Sequence, residues 1–421
     1  MSSGASGQLA MADLTVHHHH GDVVIAWNKT MLDAIRADKT SPGPATRTMA
    51  MVQAAIYDAV NDIDRTSSVY HVDIAAPPGS SPEAAASAAA YRVLVNLYPA
   101  QKARFDATLA ESLATIPDGP TRSDGLAVGN AVADGILAWR SNDGSATLVQ
   151  YTPGTAPGDW QPTPPDFSNA WGPEWGRVTP FAIPNASQFM PLPPPPLDSA
   201  AYTAAFNEVK SVGALDSTTR TPDQTQIGLF WAYDRPSMGP PPIRYNQIAE
   251  TIALQQHNTL DQNARMFALV DIAMADAGIV AWGTKFSDNF WRPITAIRAA
   301  NTDGNPATVA DPNWTPLGAP GGGVVPDFTP PFPAYISGHA TFGAALFRTL
   351  ADFYGTDNIS FTIGSDELPG VYRTFDSFSA AAEENGQSRI YLGIHWSFDK
   401  TAGIATGDAV ADYVFHHELG F

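Results

Sequence analysis

The sequence predicts an all-α protein, most simply two packed four-helix bundles joined by long Pro- and Gly-rich loops. Three observations predict this fold. Apolar residues recur at helical spacing over most of the 421 residues. Proline is concentrated in long stretches between the periodic segments. The sequence has no segment rich in strand patterns and no short-period repeat.

Five helices are predicted in the N-terminal half. The breaking residues Pro117–Pro120 separate the last two of them. Alanine-rich stretches such as Ala84–Ala90 favour helix and allow close helix packing. The five predicted helices are Val23–Ala37, Thr46–Ile63, Pro82–Leu97, Lys102–Ile116 and Ser123–Trp139.

Two long loops interrupt the helical pattern. Tyr151–Ala200 contains thirteen prolines, which excludes a long helix, and its many aromatic residues argue against a solvated linker. We interpret it as an ordered loop that wraps the protein body, either to shape a pocket entrance or as a purely structural feature. Asp303–Tyr335 is a second Pro/Gly-rich loop.

The C-terminal half is again predicted to be helical, and we expect it to carry the functional site. Residues 1–21 are predicted to be a disordered N-terminal segment. Residues 22–421 are predicted to form one helical domain, divided into halves 22–200 and 201–421. The predicted helices of the second half are Ala200–Val212, Asp223–Trp231, Ile243–His257, Asp261–Ile279, Ala281–Ala300, Gly338–Tyr354, Ser377–Ile394 and Lys400–Glu418.

Composition excludes several classes of protein. The net charge of −19 argues against a nucleic-acid partner, because a phosphate polymer would be repelled. The absence of cysteine excludes disulfides and thiol nucleophiles. The sequence contains no run of about 18 apolar residues, so no membrane span is predicted. The segment Met1–Thr15 lacks the pattern of a secretory signal, so none is expected in this chain.

The first of three chemically informative segments runs from Lys285 to Pro293. The chain has only six lysines, so the occurrence of one of them near an arginine, within an apolar, aromatic segment, suggests a specific role for the two cations. If the segment is helical, the seven-residue spacing places Lys285 and Arg292 on one face, where they would hold an anion. The alternative is that Asp288 pairs with one of them on a solvated surface.

The second segment is Ser337-Gly338-His339, at a predicted loop-to-helix junction. A helix N-terminus offers free N–H groups and a partial positive charge, which together favour anion binding. Ser337 suits the N-cap position, and His339 in the first turn would serve as a proton donor or acceptor. The alternative is an ordinary helix cap.

The third segment contains Arg389, His395 and Asp399. Arg389 and His395 are six residues apart, so on a helix they would face roughly the same side. Asp399 would either orient the imidazole of His395 or point to solvent.

These segments resemble the three signature motifs of the type 2 phosphatidic acid phosphatase superfamily, which includes the vanadium-dependent haloperoxidases. All three motifs occur in the right order and with the right internal spacings, within about Trp282–Gly403. Thr48–Ile63 also resembles an early helix of the family, and Trp171–Phe181 resembles a segment of its soluble bacterial members. One departure is Ile336, where the family pattern has proline.

The resemblance implies a vanadate site, which phosphate would also fit. His395 would be the metal ligand in a haloperoxidase or the nucleophile in a phosphatase, and His339 would be the acid–base residue. Lys285 would contribute to catalysis by drawing electron density from the activated oxygen. The implied oxyanion-binding residues are Lys285, Arg292, Ser337, Gly338, Arg389 and His395.

The implied activity is that of a vanadium-dependent haloperoxidase, a peroxidase that acts on hydrogen peroxide, a halide and a small organic acceptor. Trp282 and Phe332 are candidates for an apolar halide pocket. Two alternatives stay open: an acid phosphatase with a phosphohistidine intermediate, and a protein that binds the oxyanion without turnover. A homo-oligomer is a possible assembly.

Overall fold

The computed structural model describes residues 22–235, 238–323 and 326–420. The disordered segment expected for residues 1–21 lies outside the described residues. The helices and the two strands are α1 Val23–Asp38, α2 Pro42–Asp64, α3 Pro82–Leu97, α4 Lys102–Leu113, α5 Pro120–Arg140, α6 Ala200–Val212, α7 Pro222–Phe230, α8 Pro241–Gln256, α9 Leu260–Asp288, α10 Pro293–Arg298, α11 Gly338–Tyr354, β1 Phe361–Gly364, β2 Tyr372–Phe375, α12 Phe378–Tyr391 and α13 Ser397–His417.

The predicted all-α fold is confirmed. Helices α2, α3 and α5 pack together with α4 in the N-terminal half, and α9, α11, α12 and α13 pack together in the C-terminal half. Contacts between α2 and α9 join the two groups, so the core is continuous between them. The antiparallel hairpin β1–β2 was not predicted, because two four-residue strands give too short an alternation of apolar and polar residues to be recognised.

Helix α9 is the central element of the C-terminal half. Thr259 and Gln262 form a capping box at its N-terminus, which satisfies donors of the first turn. It is long and apolar enough to cross a membrane, but 94% of its most apolar 18-residue window is buried inside the protein. Its apolar character is therefore accounted for by its position in the core.

The predicted boundary between two helices at residue 280 was wrong, because α9 continues without a break to Asp288. The helix ends where Asn289 adopts the left-handed conformation, with φ 51°. A short separate helix, α10, then begins at Pro293, a residue whose fixed φ suits the first position of a helix. The sequence pattern alone does not distinguish this break from a continuous helix.

The proline-rich segment 151–200, which we call the wrap, contains no long helix, as its prolines predict, and it packs against α9. The buried carboxylate of Asp276 on α9 accepts hydrogen bonds from the backbone N–H groups of Phe181, Ala182 and Ile183, at 2.6, 2.8 and 2.9 Å. The backbone of the same segment also approaches that of α9 closely at Gly176. A Cβ atom at this position would lie only 2.3 Å from the Cα of Gly283, so only glycine fits. The wrap is therefore attached to the helix that carries Lys285.

Replacing Asp276 with alanine is expected to lower the free energy of unfolding by on the order of 3 kcal/mol, because three buried N–H groups would lose their acceptor. Chemical denaturation measures this change. The exposed Asp216 provides the control variant Asp216→Ala, which is expected to leave stability nearly unchanged. Equal stabilities of the two variants would contradict the anchoring role of Asp276.

A second buried carboxylate on α9 predicts a pH-dependent stability. Burial raises the pKa of Asp271 from its ordinary 3.8 to about 8, while a 2.7 Å hydrogen bond from Asn246 opposes the shift. The carboxyl group of Asp271 therefore binds its proton more tightly in the folded state than in the unfolded chain. The stabilisation that this provides is complete below pH 3.8 and is lost as pH rises through about 8.

Asp271→Asn is expected to remove this dependence. The stability of the variant relative to the original protein should rise between pH 5 and pH 8, by at most about 1.4 kcal/mol per pH unit. Urea denaturation at several pH values measures the difference. Parallel stability curves for the two proteins would show that Asp271 titrates normally.

Candidate active site

Lys285 and Arg292 approach the same loop from different elements. Lys285 lies in the last turn of α9, and Arg292 is the N-cap of α10. The expectation that they share one helical face was wrong, because the chain leaves the helical conformation at Asn289. Both side chains are fully buried. Both side chains donate hydrogen bonds to backbone carbonyls of loops, and neither forms an ion pair with Asp288.

The carbonyl groups of the loop before α11 hold these two cations in place. Lys285 Nζ donates to the carbonyls of Pro333 and Ala334, at 2.9 and 3.0 Å. Arg292 Nε donates to Phe332 O at 2.8 Å. The second Pro/Gly-rich loop therefore positions two cations and also carries the Ser337-Gly338-His339 motif.

Ser337 is the N-cap of α11, as predicted. Its hydroxyl oxygen accepts from Ala340 N at 3.4 Å, and its own N–H donates to Asp399 O at 3.2 Å. Gly338 and His339 are the first two helical residues, whose N–H groups have no partner within the helix. The three residues present a helix N-terminus next to the buried cations.

His395 lies outside any helix, which contradicts the expected arrangement with Arg389. Helix α12 ends at Tyr391, and Gly393 adopts a φ of 74°, a conformation that glycine allows without steric cost. This turn brings His395 towards Arg292, whose Nη1 lies 3.0 Å from His395 Nε2. Both motif residues are buried, Arg389 at 1% exposure and His395 at 2%.

Asp399, in the first turn of α13, orients the ring of His395. Its carboxylate lies 2.7 Å from His395 Nδ1 and also accepts from Trp396 N at 3.1 Å. A carboxylate only accepts, so Nδ1 carries the proton and Nε2 presents its lone pair in the neutral ring. Burial and the neighbouring cations Arg292, Lys285 and Arg389 hold the pKa of His395 well below its ordinary value, which favours this neutral form.

His339 is held by the connection that follows α7. Its Nε2 lies 2.6 Å from the carbonyl oxygen of Ala232, so Nε2 carries the proton and Nδ1 the lone pair in the neutral ring. Burial, followed by the charge of Arg389, lowers the pKa of His339 well below its ordinary value. The ring is therefore in the form that accepts a proton.

Asp234 belongs to the same connection and was missed by the sequence analysis. Both of its carboxylate oxygens accept from Arg389 Nη2, at 2.7 and 2.9 Å, and its side chain is only 8% exposed. No motif surrounds Asp234, and it lies far from Arg389 in the sequence. Its only sequence signal is that an acidic residue directly follows the apolar segment Phe230–Tyr233.

The buried guanidinium groups retain donors that the described residues do not satisfy. These are Nη2 of Arg292 and Nε and Nη1 of Arg389. Unsatisfied charged donors are costly in an interior, and an oxyanion would satisfy them. Burial lowers the pKa of Lys285 well below 10.5 and that of Arg292 to about 9. Repulsion from Arg292 adds to the shift of Lys285, and repulsion from Arg389 adds to the shift of Arg292. A bound anion would offset that repulsion.

A cavity of about 410 Å³ opens onto Arg389 and the two histidines of the site. His339, Arg389 and His395 line it, and Trp282 and Phe332 form part of its wall with ring centroids 5.2 Å apart. Trp171 from the proline-rich wrap completes an aromatic group, with its centroid 5.3 Å from that of Trp282. The wrap therefore contributes to the cavity wall.

Comparisons with known proteins show which family the chain belongs to. The VCPO second helical-bundle domain matches residues 265–420. Vanadium chloroperoxidase of Curvularia inaequalis is 32% identical over 91% of this chain and 80% of its own length.

Solved structures give the same picture of the fold. The first bacterial vanadium-dependent iodoperoxidase has a TM-score of 0.80 and 29% identity, over 95% of this chain and 97% of that protein. A holo-type bacterial vanadium-dependent chloroperoxidase has a TM-score of 0.72 and 16% identity, over 90% and 92% of the two chains, and supports the fold alone. The similarity to vanadium chloroperoxidase of Curvularia inaequalis extends over most of both chains, and the chain belongs to the vanadium-dependent haloperoxidases, a family of peroxidases whose cofactor is vanadate.

Proposed function

We propose that this chain uses bound vanadate to oxidise a halide with hydrogen peroxide, and that the product halogenates organic acceptors. The balanced reaction is H2O2 + X⁻ + H⁺ → HOX + H2O. One observation carries the proposal. Guanidinium N–H groups of Arg292 and Arg389 without a hydrogen-bond partner lie near His395, whose ring Asp399 orients.

The residues present fit a tetrahedral oxyanion. Arg292, Arg389 and Lys285 would neutralise its negative charge, and the guanidinium forks suit oxyanions geometrically. Ser337 Oγ and the N–H of Gly338 would donate hydrogen bonds at the helix N-terminus. His395 Nε2 would be the metal ligand, with Asp399 fixing its tautomer.

Each catalytic role follows from the protonation state of a side chain. Vanadate, when bound, supplies a Lewis acid at which peroxide is activated without a change of metal oxidation state. His339 would take a proton from peroxide through Nδ1, because Nε2 is engaged by Ala232. Lys285 Nζ, fixed by two carbonyls, would stabilise the negative charge that develops on oxygen.

The aromatic wall supports a halide pocket. Trp282 and Phe332 line the cavity, and Lys285 Nζ lies 5.0 Å from the ring centroid of Phe332. A halide is weakly hydrated compared with an oxyanion, so an apolar, cation-flanked wall would favour it. We propose Trp282 and Phe332 as the residues that position the halide before it reacts.

Turnover with and without vanadate tests the proposal. The apo-protein is mixed with hydrogen peroxide and chloride, bromide or iodide, and a phenolic dye traps the oxidised halogen. We expect turnover that depends on added orthovanadate. Without halide oxidation, vanadate-inhibited hydrolysis of p-nitrophenyl phosphate would support the acid phosphatase, in which His395 would attack phosphorus.

A further inference from the structure

One short connection holds two residues of the proposed site. The segment Ala232–Arg235 follows the end of α7 at Phe230 and precedes the residues that lead into α8. Through the carbonyl of Ala232 it contacts His339, and through the carboxylate of Asp234 it contacts Arg389. A shift of this segment would therefore displace the proposed acid–base residue and an oxyanion-binding cation together.

The turn of the β1–β2 hairpin holds this segment. We call its first three residues, Ser365–Glu367, the hairpin turn. Ser365 Oγ donates to Phe230 O at 2.7 Å, and the N–H of Asp366 donates to Tyr233 Oη at 2.8 Å. The hairpin turn therefore contacts the chain at the end of α7 and again just before Asp234.

Glu367 makes the most direct of these contacts. Its Oε2 lies 2.8 Å from Arg235 Nη2. Burial raises the pKa of this carboxyl to about 7, and the nearby backbone N–H of Tyr233 opposes the shift. The side chain of Glu367 is only 3% exposed. Asp234 lies between the two residues that Glu367 contacts. Since no helix or strand fixes this segment, side-chain contacts of this kind determine its position.

The hairpin turn is itself fixed to the helical body. Asp366 accepts from Arg36 Nη2 of α1 at 2.7 Å and from Gln247 Nε2 of α8 at 3.0 Å. The contacts therefore run from α1 and α8, through the hairpin turn and the segment Ala232–Arg235, to Arg389 and His339. Such an arrangement has the rigidity that a preorganised anion site requires.

We propose that the hairpin turn is a positioning element of the oxyanion site, and that Glu367 is its principal positioning residue. Glu367 acts through Tyr233 and Arg235, which hold Asp234 against Arg389. The inference rests on the proposed function, because Arg389 and His339 are its end points. It adds a residue that touches neither vanadate nor halide but determines how tightly vanadate binds.

Vanadate affinity of the full chain tests the inference, measured by titration calorimetry without peroxide or halide. Glu367→Ala is expected to weaken binding about tenfold, the lower end of the effect of removing a residue that orients a ligand. Glu367→Gln is expected to lose less, because its amide oxygen would still accept a hydrogen bond from Arg235 but carries no negative charge. Asp234→Ala is the positive control.

A matched control lies on the same hairpin. The exposed hydroxyls of Thr362 and Thr374 are 2.8 Å apart and contact neither the hairpin turn nor Ala232–Arg235. Thr362→Val is expected to perturb the hairpin and leave vanadate affinity unchanged. If Glu367 is merely structural, Glu367→Ala would lower the melting temperature but bind vanadate as the original protein does, well below that temperature.

The outcomes separate the two proposals. If the original protein binds vanadate and Glu367→Ala binds it equally well, the positioning role is overturned and the proposed function stands. If the original protein does not bind vanadate, both are overturned. Weaker binding by Glu367→Ala and Asp234→Ala, with Thr362→Val unchanged, supports the positioning role even if no halide is oxidised.

Discussion

His395→Ala is expected to abolish vanadate-dependent halide oxidation, with a loss on the order of 10³-fold or more. The variant lacks the only imidazole nitrogen that Asp399 orients towards Arg292 in the described part of the chain. Without the Nε2 ligand, vanadate would be held by electrostatics and hydrogen bonds alone. The phenolic-dye assay measures the loss, and a parallel calorimetric titration measures the change in vanadate affinity.

His416→Ala is the control for this prediction. His416 is an exposed histidine in the last turn of α13, so its removal is expected to change neither activity nor vanadate affinity. If His395→Ala retained vanadate-dependent turnover at the original rate, His395 would not be the metal ligand. The proposed placement of the site would then be wrong.

The sequence singles out the cations and histidines of the proposed site, because their chemistry is unusual in its surroundings. Lys285 and Arg292 stand in an apolar, aromatic segment, and His339 follows a Ser-Gly junction. In the structure His339, Arg389 and His395 line one cavity, and Arg292 lies 3.0 Å from His395. Residue type and motif therefore indicate which side chains belong to the proposed site, but not how the backbone places them.

The local geometry of the same residues was predicted incorrectly. Both the Lys285–Arg292 and the Arg389–His395 pairs were expected on continuous helices. Positive φ angles at Asn289 and Gly393 instead end those helices between the members of each pair. Asparagine and glycine only permit such a conformation, and tertiary packing determines whether it is adopted.

Asp234 shows why the remaining part of the site required the structure. It contacts Arg389 across 155 positions in the sequence, and although Arg389 lies in a motif, no local pattern surrounds Asp234. The same is true of Ser365–Glu367, which lie in a hairpin too short to predict. Residues that orient others are selected by tertiary contacts, so a one-dimensional pattern rarely identifies them.

The electrostatics of the site explain why such orienting residues are needed. Three cations are buried together in a chain of net charge −19, and burial is the largest cause of the lowered pKa of Lys285 and Arg292. Asp234 and Asp399 offset part of this cost, and burial raises the pKa of Asp399 to about 7. A bound oxyanion would offset the rest, so vanadate is expected to stabilise the fold by mass action.

His339→Ala is expected to lower the rate of halide oxidation by about 10² to 10⁴-fold while leaving vanadate affinity within a few-fold of the original. The ring contacts Ala232 O through Nε2, and its Nδ1 lone pair is the proton acceptor of the proposed mechanism. Removal of the ring leaves Arg292, Arg389 and His395 in place. Steady-state kinetics at saturating vanadate, together with the calorimetric titration, separate catalysis from binding.

His339→Gln distinguishes proton transfer from simple support of the loop. The glutamine amide retains a donor for the carbonyl of Ala232 but does not exchange a proton at neutral pH. If it is as inactive as His339→Ala, the imidazole acts as the acid–base group. Recovery of activity in the glutamine variant would instead assign His339 a positioning role. Unchanged activity in both variants would leave no catalytic task for His339.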